Sequence, residues 1–177
     1  YGKKKDQAPA ATVEAEDGYS GMFPEILQWD ERWGYSPYGT SIIAVSGCGP
    51  TCVSMLVVGL TGDKTVTPSV VADYATQNHY VDENNDTTWA FMTSGVEHWG
   101  LTCRESNGNE SEIAKELEAG HPVICSMRPG DFTDIGHFII LTSYNNGNVT
   151  ICDPFSLENS KKSWNYSQIS SQIKAVW

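Results

Sequence analysis

The sequence predicts an α+β fold in which an N-terminal helical lobe packs on a C-terminal antiparallel sheet. In the first half of the chain, apolar residues recur at three- and four-residue steps. In the second half, short runs rich in Val, Ile and Phe alternate with turn residues. Helices that precede the strands are typical of α+β proteins rather than of parallel α/β sheets. The 177 residues are enough for one domain with a substantial core.

Residues 1–22 lack apolar periodicity and are rich in Ala, Glu, Asp, Lys and Gly. We therefore expect a disordered linker or tail over 1–22 and one folded domain over 23–177. The basic start, YGKKK, suits a remnant of a signal or membrane anchor, and an arbitrary chain end explains it equally well. On the first interpretation the protein is extracellular or attached to the cell surface.

Two helices are predicted before residue 80. The first begins at Cys48, its apolar positions continue to Leu60, and Gly62 is a stop signal. The second has Thr67 as its N-cap and Pro68 at its first helical position.

Two further helical segments follow. TTWAFMTSGVEHWG predicts one helix or two short ones, closed by Gly100. NESEIAKELEAG predicts a helix with Asn109 and Glu112 in the relation of a capping box, and with Gly120 as its stop.

The strands are predicted at PVICSMR, at the hairpin GHFIILTSY-NNG-NVTICDPF and at QIKAVW. A two-residue turn at Asn146-Gly147 would place Asp153 opposite Ile140. A wider loop or a bulge would bring Asp153 closer to His137. In either case Asp153 lies at the same end of the sheet as His137, which opens a strand.

Charge and composition restrict the partners. The net charge of −11 disfavours nucleic acid and anionic membranes. No apolar run approaches the length of about 20 residues that spans a bilayer. The five cysteines show no Cys-x-x-Cys spacing, and no His-x-x-x-His occurs, so we expect no metal and no cofactor. We expect a monomer.

Cys48 lies where a coil becomes a helix, in the stretch SGCGPTCVSM. Unpaired N–H groups and the dipole at a helix N-terminus favour a thiolate. The flanking glycines leave room for a substrate backbone, and Pro50 suits the first helical turn. These features favour a nucleophile, while a structural thiol, a disulfide or a metal ligand remain alternatives. A Cys125–Cys152 bridge between neighbouring strands is one such disulfide.

A thiolate nucleophile needs a histidine as acid and base and a third group that orients the ring. His137 opens a strand with no polar neighbour, and Asp153 returns beside it, although a structural histidine and a turn aspartate are the alternatives. His79 lies in a polar loop, His98 suits aromatic packing, and His121 suits a helix C-terminus.

A second oxyanion donor is expected upstream of the nucleophile, and Gln28 in EILQWDERWG is the candidate. The alternative for Gln28 is a surface residue before an aromatic cluster. QWDERWG, GCGPTCVSM, GHFIILTSY and CDPF, in this order, resemble the double-glycine, bacteriocin-leader-processing peptidases within the papain-like superfamily. The resemblance is to their stand-alone bacterial relatives and covers about residues 25–177.

This resemblance implies a papain-like fold and roles for four residues. Cys48 would be the nucleophile, His137 the general base and acid, Asp153 its orienting group and Gln28 the oxyanion donor. Gln28 lies twenty residues before Cys48, farther than in papain itself. The expected activity is that of a cysteine endopeptidase. The alternatives are a peptidoglycan endopeptidase or amidase, an acyl transferase, or a non-catalytic peptide-binding domain.

Overall fold

The computed structural model describes residues 8–177. Its elements in chain order are β1 (Tyr19–Ser20), β2 (Phe23–Pro24), β3 (Pro37–Tyr38), β4 (Ser41–Ile42), α1 (Ile43–Ser46), α2 (Cys48–Thr61), α3 (Pro68–Gln77), α4 (Trp89–Thr93), a 3-10 helix (Gly95–Trp99), α5 (Glu110–Glu118), β5 (Val123–Met127), β6 (His137–Asn145), β7 (Asn148–Cys152), α6 (Leu157–Lys161), β8 (Ser163–Asn165), α7 (Tyr166–Ser170) and β9 (Ile173–Val176). The longer helices precede a five-stranded antiparallel sheet, which confirms the α+β prediction. Among these residues, no helix has the length and apolarity needed to cross a membrane.

The helix signals in the sequence act largely as predicted. The Thr67 side chain accepts a hydrogen bond from the Val70 N–H, and Gly62 ends α2 with a φ of 76°. The predicted capping box of α5 is the exception. The Asn109 side chain accepts from the Ser111 N–H, while the Glu112 carboxylate pairs with Arg104 at 3.2 Å. A competing ion pair has therefore drawn Glu112 away from the helix N-terminus.

The sheet has the order β8-β7-β6-β5-β9 and buries both of its faces. Phe138 and Ile140 of β6 pack in the cluster that contains α2, and Ile139 and Leu141 pack in the cluster that contains α5. This alternation follows from the two-residue period of a strand. The central strand β6 is thus held between helices from both sides.

The five cysteines are free thiols, so the alternative of a Cys125–Cys152 bridge is wrong. Strand β6 lies between β5 and β7, and the two side chains belong to different core clusters on opposite faces of the sheet. A disulfide needs Cα atoms within about 7 Å and side chains that face each other.

The hairpin β6–β7 contains a register shift next to the site. Asn146 and Gly147 both have positive φ, 51° and 83°, as a two-residue type I′ turn requires. The pairing then shifts between Leu141 and Ser143, and Ile140 lies opposite Cys152. This bulge moves the residues after β7 one position closer to His137 than a regular hairpin would.

Residues 8–22 already contact the domain, so folded structure begins before the predicted boundary at residue 23. Val13 is buried in the core, and its N–H donates to the Lys64 carbonyl at 2.8 Å. β1 pairs with β2. A single valine in a polar stretch forms no periodic pattern, so its burial cannot be predicted from the sequence. The rest of the expected tail, residues 1–7, lies outside the described residues.

Replacing Gly147 with Ala should destabilise the hairpin. An added Cβ at this position contacts nothing within 4 Å, so the cost comes from the positive φ alone. We expect a loss of about 1–2 kcal/mol and a fall in Tm of several degrees, since about 1 kcal/mol corresponds to roughly 2–4 °C at this chain length. Differential scanning calorimetry measures the change.

Gly136→Ala is the matched control, because its φ is not positive and its added Cβ meets only the Met127 carbonyl at 3.9 Å. Equal Tm values for Gly147→Ala and Gly136→Ala would contradict the turn geometry.

Candidate active site

Cys48 is the first residue of α2 and is half-buried at the helix N-terminus. The short helix α1 directly precedes it and ends where the Gly47 N–H donates to the Ile43 carbonyl at 2.8 Å. Pro50 lies in the first turn of α2, where its missing N–H leaves no hydrogen bond unmade. The sulfur therefore projects from a point where partial positive charge accumulates.

The two glycines beside Cys48 serve packing rather than the approach of a substrate. A Cβ on Gly47 would lie 2.7 Å from the Ile43 backbone, and a Cβ on Gly49 would lie 2.2 Å from the Thr87 hydroxyl. These neighbours occupy the space that the sequence prediction assigned to a substrate. Glycine is needed because α1 and the loop around Thr87 press against the start of α2.

His137 and Asp153 form a buried hydrogen bond. His137 Nε2 lies 2.7 Å from Asp153 Oδ1, and the two residues are 8% and 2% exposed. An ionised carboxylate can only accept, so Nε2 carries the proton and Nδ1 is the remaining ring nitrogen. The hairpin thus brings together two of the four predicted site residues.

The Asp153 carboxylate is held by its own set of donors. Oδ1 also accepts from the Phe155 N–H at 2.9 Å, and Oδ2 accepts from Asn159 Nδ2 at 3.0 Å. The Asp153 N–H donates to the Ser160 hydroxyl at 2.8 Å. Sequence reasoning missed Asn159 and Ser160, which lie on α6. The sequence signal for α6 is Ser156, an N-cap residue whose hydroxyl accepts a hydrogen bond from the Asn159 N–H.

The ring of His137 lies between Asp153 and Cys48. Burial lowers the pKa of His137, but hydrogen bonds to Asp153 and to Cys48 and the charges of both groups raise it to about 10. The imidazole is therefore protonated at neutral pH.

A second cysteine joins the helix to the sheet. The Cys52 thiol, one turn after Cys48, is fully buried and donates to the Phe138 carbonyl at 3.4 Å. Phe138 directly follows His137. This contact fixes the position of α2 relative to β6 next to both Cys48 and His137.

Gln28 lies beside this arrangement but does not line the cleft. Its Nε2 lies 3.3 Å from the carbonyls of Ile43 and of Ala44, and its backbone N–H donates to the Pro154 carbonyl at 2.7 Å. Gln28 Oε1 is buried and, among the described residues, has no hydrogen-bond partner. The amide is thus enclosed between α1 and the loop that follows Asp153.

The other three histidines lie outside the cleft. His98 stacks on Tyr74 with ring centroids 4.1 Å apart, and His121 pairs with Glu116 at 2.8 Å. His79 is exposed in a loop with a φ of 62°.

A cleft of about 810 Å³ separates the lobes and contains Cys48 and His137 in its wall. Trp89, 41% exposed, lines its helical side, and Lys174 lies across from it with Nζ 5.6 Å from the indole centroid. Among residues 8–177, no three His, Cys, Asp or Glu side chains converge so as to hold a metal ion.

Comparison with known proteins identifies relatives of the whole domain. The profile of the peptidase C39-like family matches residues 13–177. The peptidase domain of Streptococcus ComA, a bifunctional ABC transporter of a quorum-sensing pathway, shares the fold with a TM-score of 0.54 and 14% identity over 75% of this chain and 90% of that chain. A protein described as a C39-like peptidase from Bacillus anthracis has a TM-score of 0.42 and 15% identity over 95% of this chain and 96% of that chain. No curated protein sequence matches the chain.

The raised pKa of His137 should make stability depend on pH. Its value increases from 6.5 to about 10 on folding, so the native state retains a proton that the unfolded chain releases. The stabilisation is complete below about pH 6.5 and is lost as the pH rises towards about 10, by at most ~1.4 kcal/mol per pH unit. Urea unfolding at about pH 6.5 and 7.5 measures this loss, since both values lie below the ordinary pKa of a thiol, about 8.5, and of a tyrosine, about 10.

The His137→Gln variant is the comparison. It should lose less stability between these two pH values than the wild type does. Equal losses in both proteins would show that His137 does not hold the proton.

Proposed function

Since the chain belongs to the peptidase C39-like family, we propose that it is a cysteine peptidase that hydrolyses peptide bonds through a thioester on Cys48. The observation that supports this best is the buried hydrogen bond of 2.7 Å between His137 Nε2 and Asp153 Oδ1, in a cleft whose wall also contains Cys48 at the N-terminus of α2. The substrate is a peptide or a protein that lies in the cleft between the two lobes.

The reaction begins with an ion pair between the Cys48 thiolate and the His137 imidazolium. The sulfur attacks the peptide carbonyl carbon, a C–S bond forms, and the carbonyl electron pair moves to oxygen. When the C–O double bond re-forms, the C–N bond breaks and His137 gives its proton to the leaving amine. His137 then takes a proton from water, which attacks the thioester and releases the acid and the thiolate.

The oxyanion is held by two donors in this proposal. The Cys48 N–H belongs to the first turn of α2, where N–H groups lack partners within the helix. Gln28 Nε2 is the second donor, because it lies next to α1 with two hydrogen bonds of 3.3 Å, slightly longer than usual for N–H···O. One of its N–H groups would turn from a carbonyl to the oxyanion when substrate binds.

Cys48→Ala should abolish peptide hydrolysis and keep the fold. Mass spectrometry of a synthetic peptide mixture after incubation measures cleavage, and circular dichroism measures the fold. Cys103→Ala is the matched control, since this thiol is half-buried and lies outside the cleft. Hydrolysis by Cys48→Ala at the wild-type rate would disprove the assignment. Purified cell walls, incubated in parallel, test the alternative substrate class.

Gln28→Ala should lower kcat by about 10²–10³ with a smaller effect on KM, because an oxyanion donor acts in the transition state. Gln77→Ala, an exposed amide at the end of α3, is the control and should leave kcat unchanged. Urea unfolding of both variants separates a loss of donor from a loss of structure. A wild-type kcat in a folded Gln28→Ala protein would remove Gln28 from the mechanism.

A further inference from the structure

Glu25 is a buried carboxylate that lies outside the catalytic cleft. It is 5% exposed and directly follows β2, and Lys161 Nζ lies 2.7 Å from its Oε2. Among the described residues this oxygen has no hydrogen bond of normal geometry, so the ammonium charge of Lys161 is what compensates it. A buried carboxylate is costly unless a cation stands beside it. The ion pair therefore ties Lys161 to the segment after β2.

Lys161 also holds the chain just before β1. Its ammonium donates to the Asp17 carbonyl at 2.9 Å, and the Glu25 N–H donates to the Gly18 carbonyl at 2.9 Å. Gly18 has a φ of 105°, and a Cβ at this position would lie 3.3 Å from Lys161 Nζ. Residues 17–25 thus enclose one ammonium group and leave no room for a side chain at Gly18.

Lys161 is the last residue of α6, the helix that holds Asp153. This helix has only five residues, and so short a helix is not stable on its own in water. Asn159 Nδ2 donates to Asp153 Oδ2, and the Ser160 hydroxyl accepts from the Asp153 N–H. Both groups lie in the same turn as Lys161. An anchor at Lys161 therefore restricts the two side chains that hold Asp153.

The other polar contacts of α6 are local. Its N-cap is Ser156, and the Trp164 indole N–H donates to the Asn159 carbonyl at 3.0 Å. These contacts shape the helix but do not join it to the rest of the domain. The bond from Lys161 to Glu25 connects α6 to a segment more than 130 residues earlier in the chain.

The N-terminal segment also braces the other end of the same loop. The Gln28 N–H donates to the Pro154 carbonyl at 2.7 Å, and the Trp29 indole N–H donates to the Phe155 carbonyl at 2.8 Å. These bonds lie directly after Asp153, at the start of the loop that leads to α6. The chain before α1 therefore holds both ends of the segment that supplies the donors to Asp153.

We propose that the ion pair of Glu25 and Lys161 is a positioning element of the active site. It fixes α6, and through the Asn159 amide it keeps the Asp153 carboxylate in the orientation that His137 Nε2 requires. Neither Glu25 nor Lys161 lines the cleft, so the pair acts without touching the substrate. The catalytic consequence rests on the proposed peptidase function, whereas the effect on the bond between His137 and Asp153 does not.

The first experiment measures hydrolysis of a peptide identified in the peptide-mixture digest. Lys161→Met removes the charge and should lower kcat roughly tenfold with KM nearly unchanged, since small displacements near the reacting groups can cost up to about 10²-fold. Lys161→Arg should restore most of kcat, because it keeps the cation. Lys162→Met is the matched control, since it removes the neighbouring exposed pair with Glu158, of 3.2 Å, and should leave kcat unchanged. Wild-type kcat in folded Lys161→Met, or an equal loss in Lys162→Met, would overturn the proposal.

A double variant separates positioning from stability. Lys161→Met leaves Glu25 as an unpaired buried carboxylate, so the midpoint of urea unfolding should fall. Adding Glu25→Gln removes that charge and should restore the midpoint. A positioning element predicts that kcat stays low in this double variant, because α6 still lacks its anchor. Recovery of kcat together with the unfolding midpoint would show that the pair supports only the fold.

NMR tests the positioning without catalysis. In protein with 15N-labelled histidine, long-range 1H–15N spectra at about pH 5 record protonated rings, so the Nε2 shift of His137 reports its hydrogen bond to Asp153. His137→Gln assigns the signal by removing it. In Lys161→Met the shift should move towards that of the exposed His79, and in Lys162→Met it should stay at the wild-type value.

An Nε2 shift that is unchanged in Lys161→Met would overturn the positioning role, whether or not the protein hydrolyses peptides. A wild-type protein that cleaves no peptide, but whose Nε2 shift moves in Lys161→Met, would remove the proposed function and support the positioning role.

Discussion

The buried hydrogen bond between His137 and Asp153 is the interaction on which the rest of the site depends. A protonated imidazole that is only 8% exposed is costly to bury unless a charged partner accepts its proton. Asp153 supplies that charge, and the Phe155 N–H and the Asn159 amide satisfy its other lone pairs. Without these donors the carboxylate would itself be an unsatisfied buried charge. The segment after β7 therefore stabilises the buried pair of His137 and Asp153 through these two donors.

Much of this arrangement could be predicted because each piece has a local signal. A glycine-flanked cysteine before a helical apolar pattern, and a histidine that opens a hairpin strand, are both visible in the sequence. The turn Asn146-Gly147 indicates which strands pair, and it limits the position of Asp153 to within a few residues of His137. The bulge after Leu141 could not be predicted, since it depends on how β6 and β7 pack between the helices. The same holds for Val13, whose burial depends on contacts with the distant Lys64 segment.

The glycines beside Cys48 have a different role from the one that the sequence predicts. The sequence predicts that small residues at this position leave space for a substrate, but Ile43 and Thr87 fill that space. Because of this close packing, α1 and the Thr87 loop hold the first turn of α2 from two sides. One turn later, the Cys52 thiol donates a hydrogen bond to the Phe138 carbonyl. Cys48 and His137 are thus positioned by contacts of backbone and small side chains.

The helix α1 connects these constraints to substrate binding. Its four residues provide the carbonyls of Ile43 and Ala44 that hold the Gln28 amide, and Ser46, which lines the cleft. Contact of a substrate with Ser46 would therefore act on the same short helix that holds the Gln28 amide. Binding energy from the rest of the substrate can in this way align a group at the reacting carbonyl. Such alignment raises kcat as well as lowering KM.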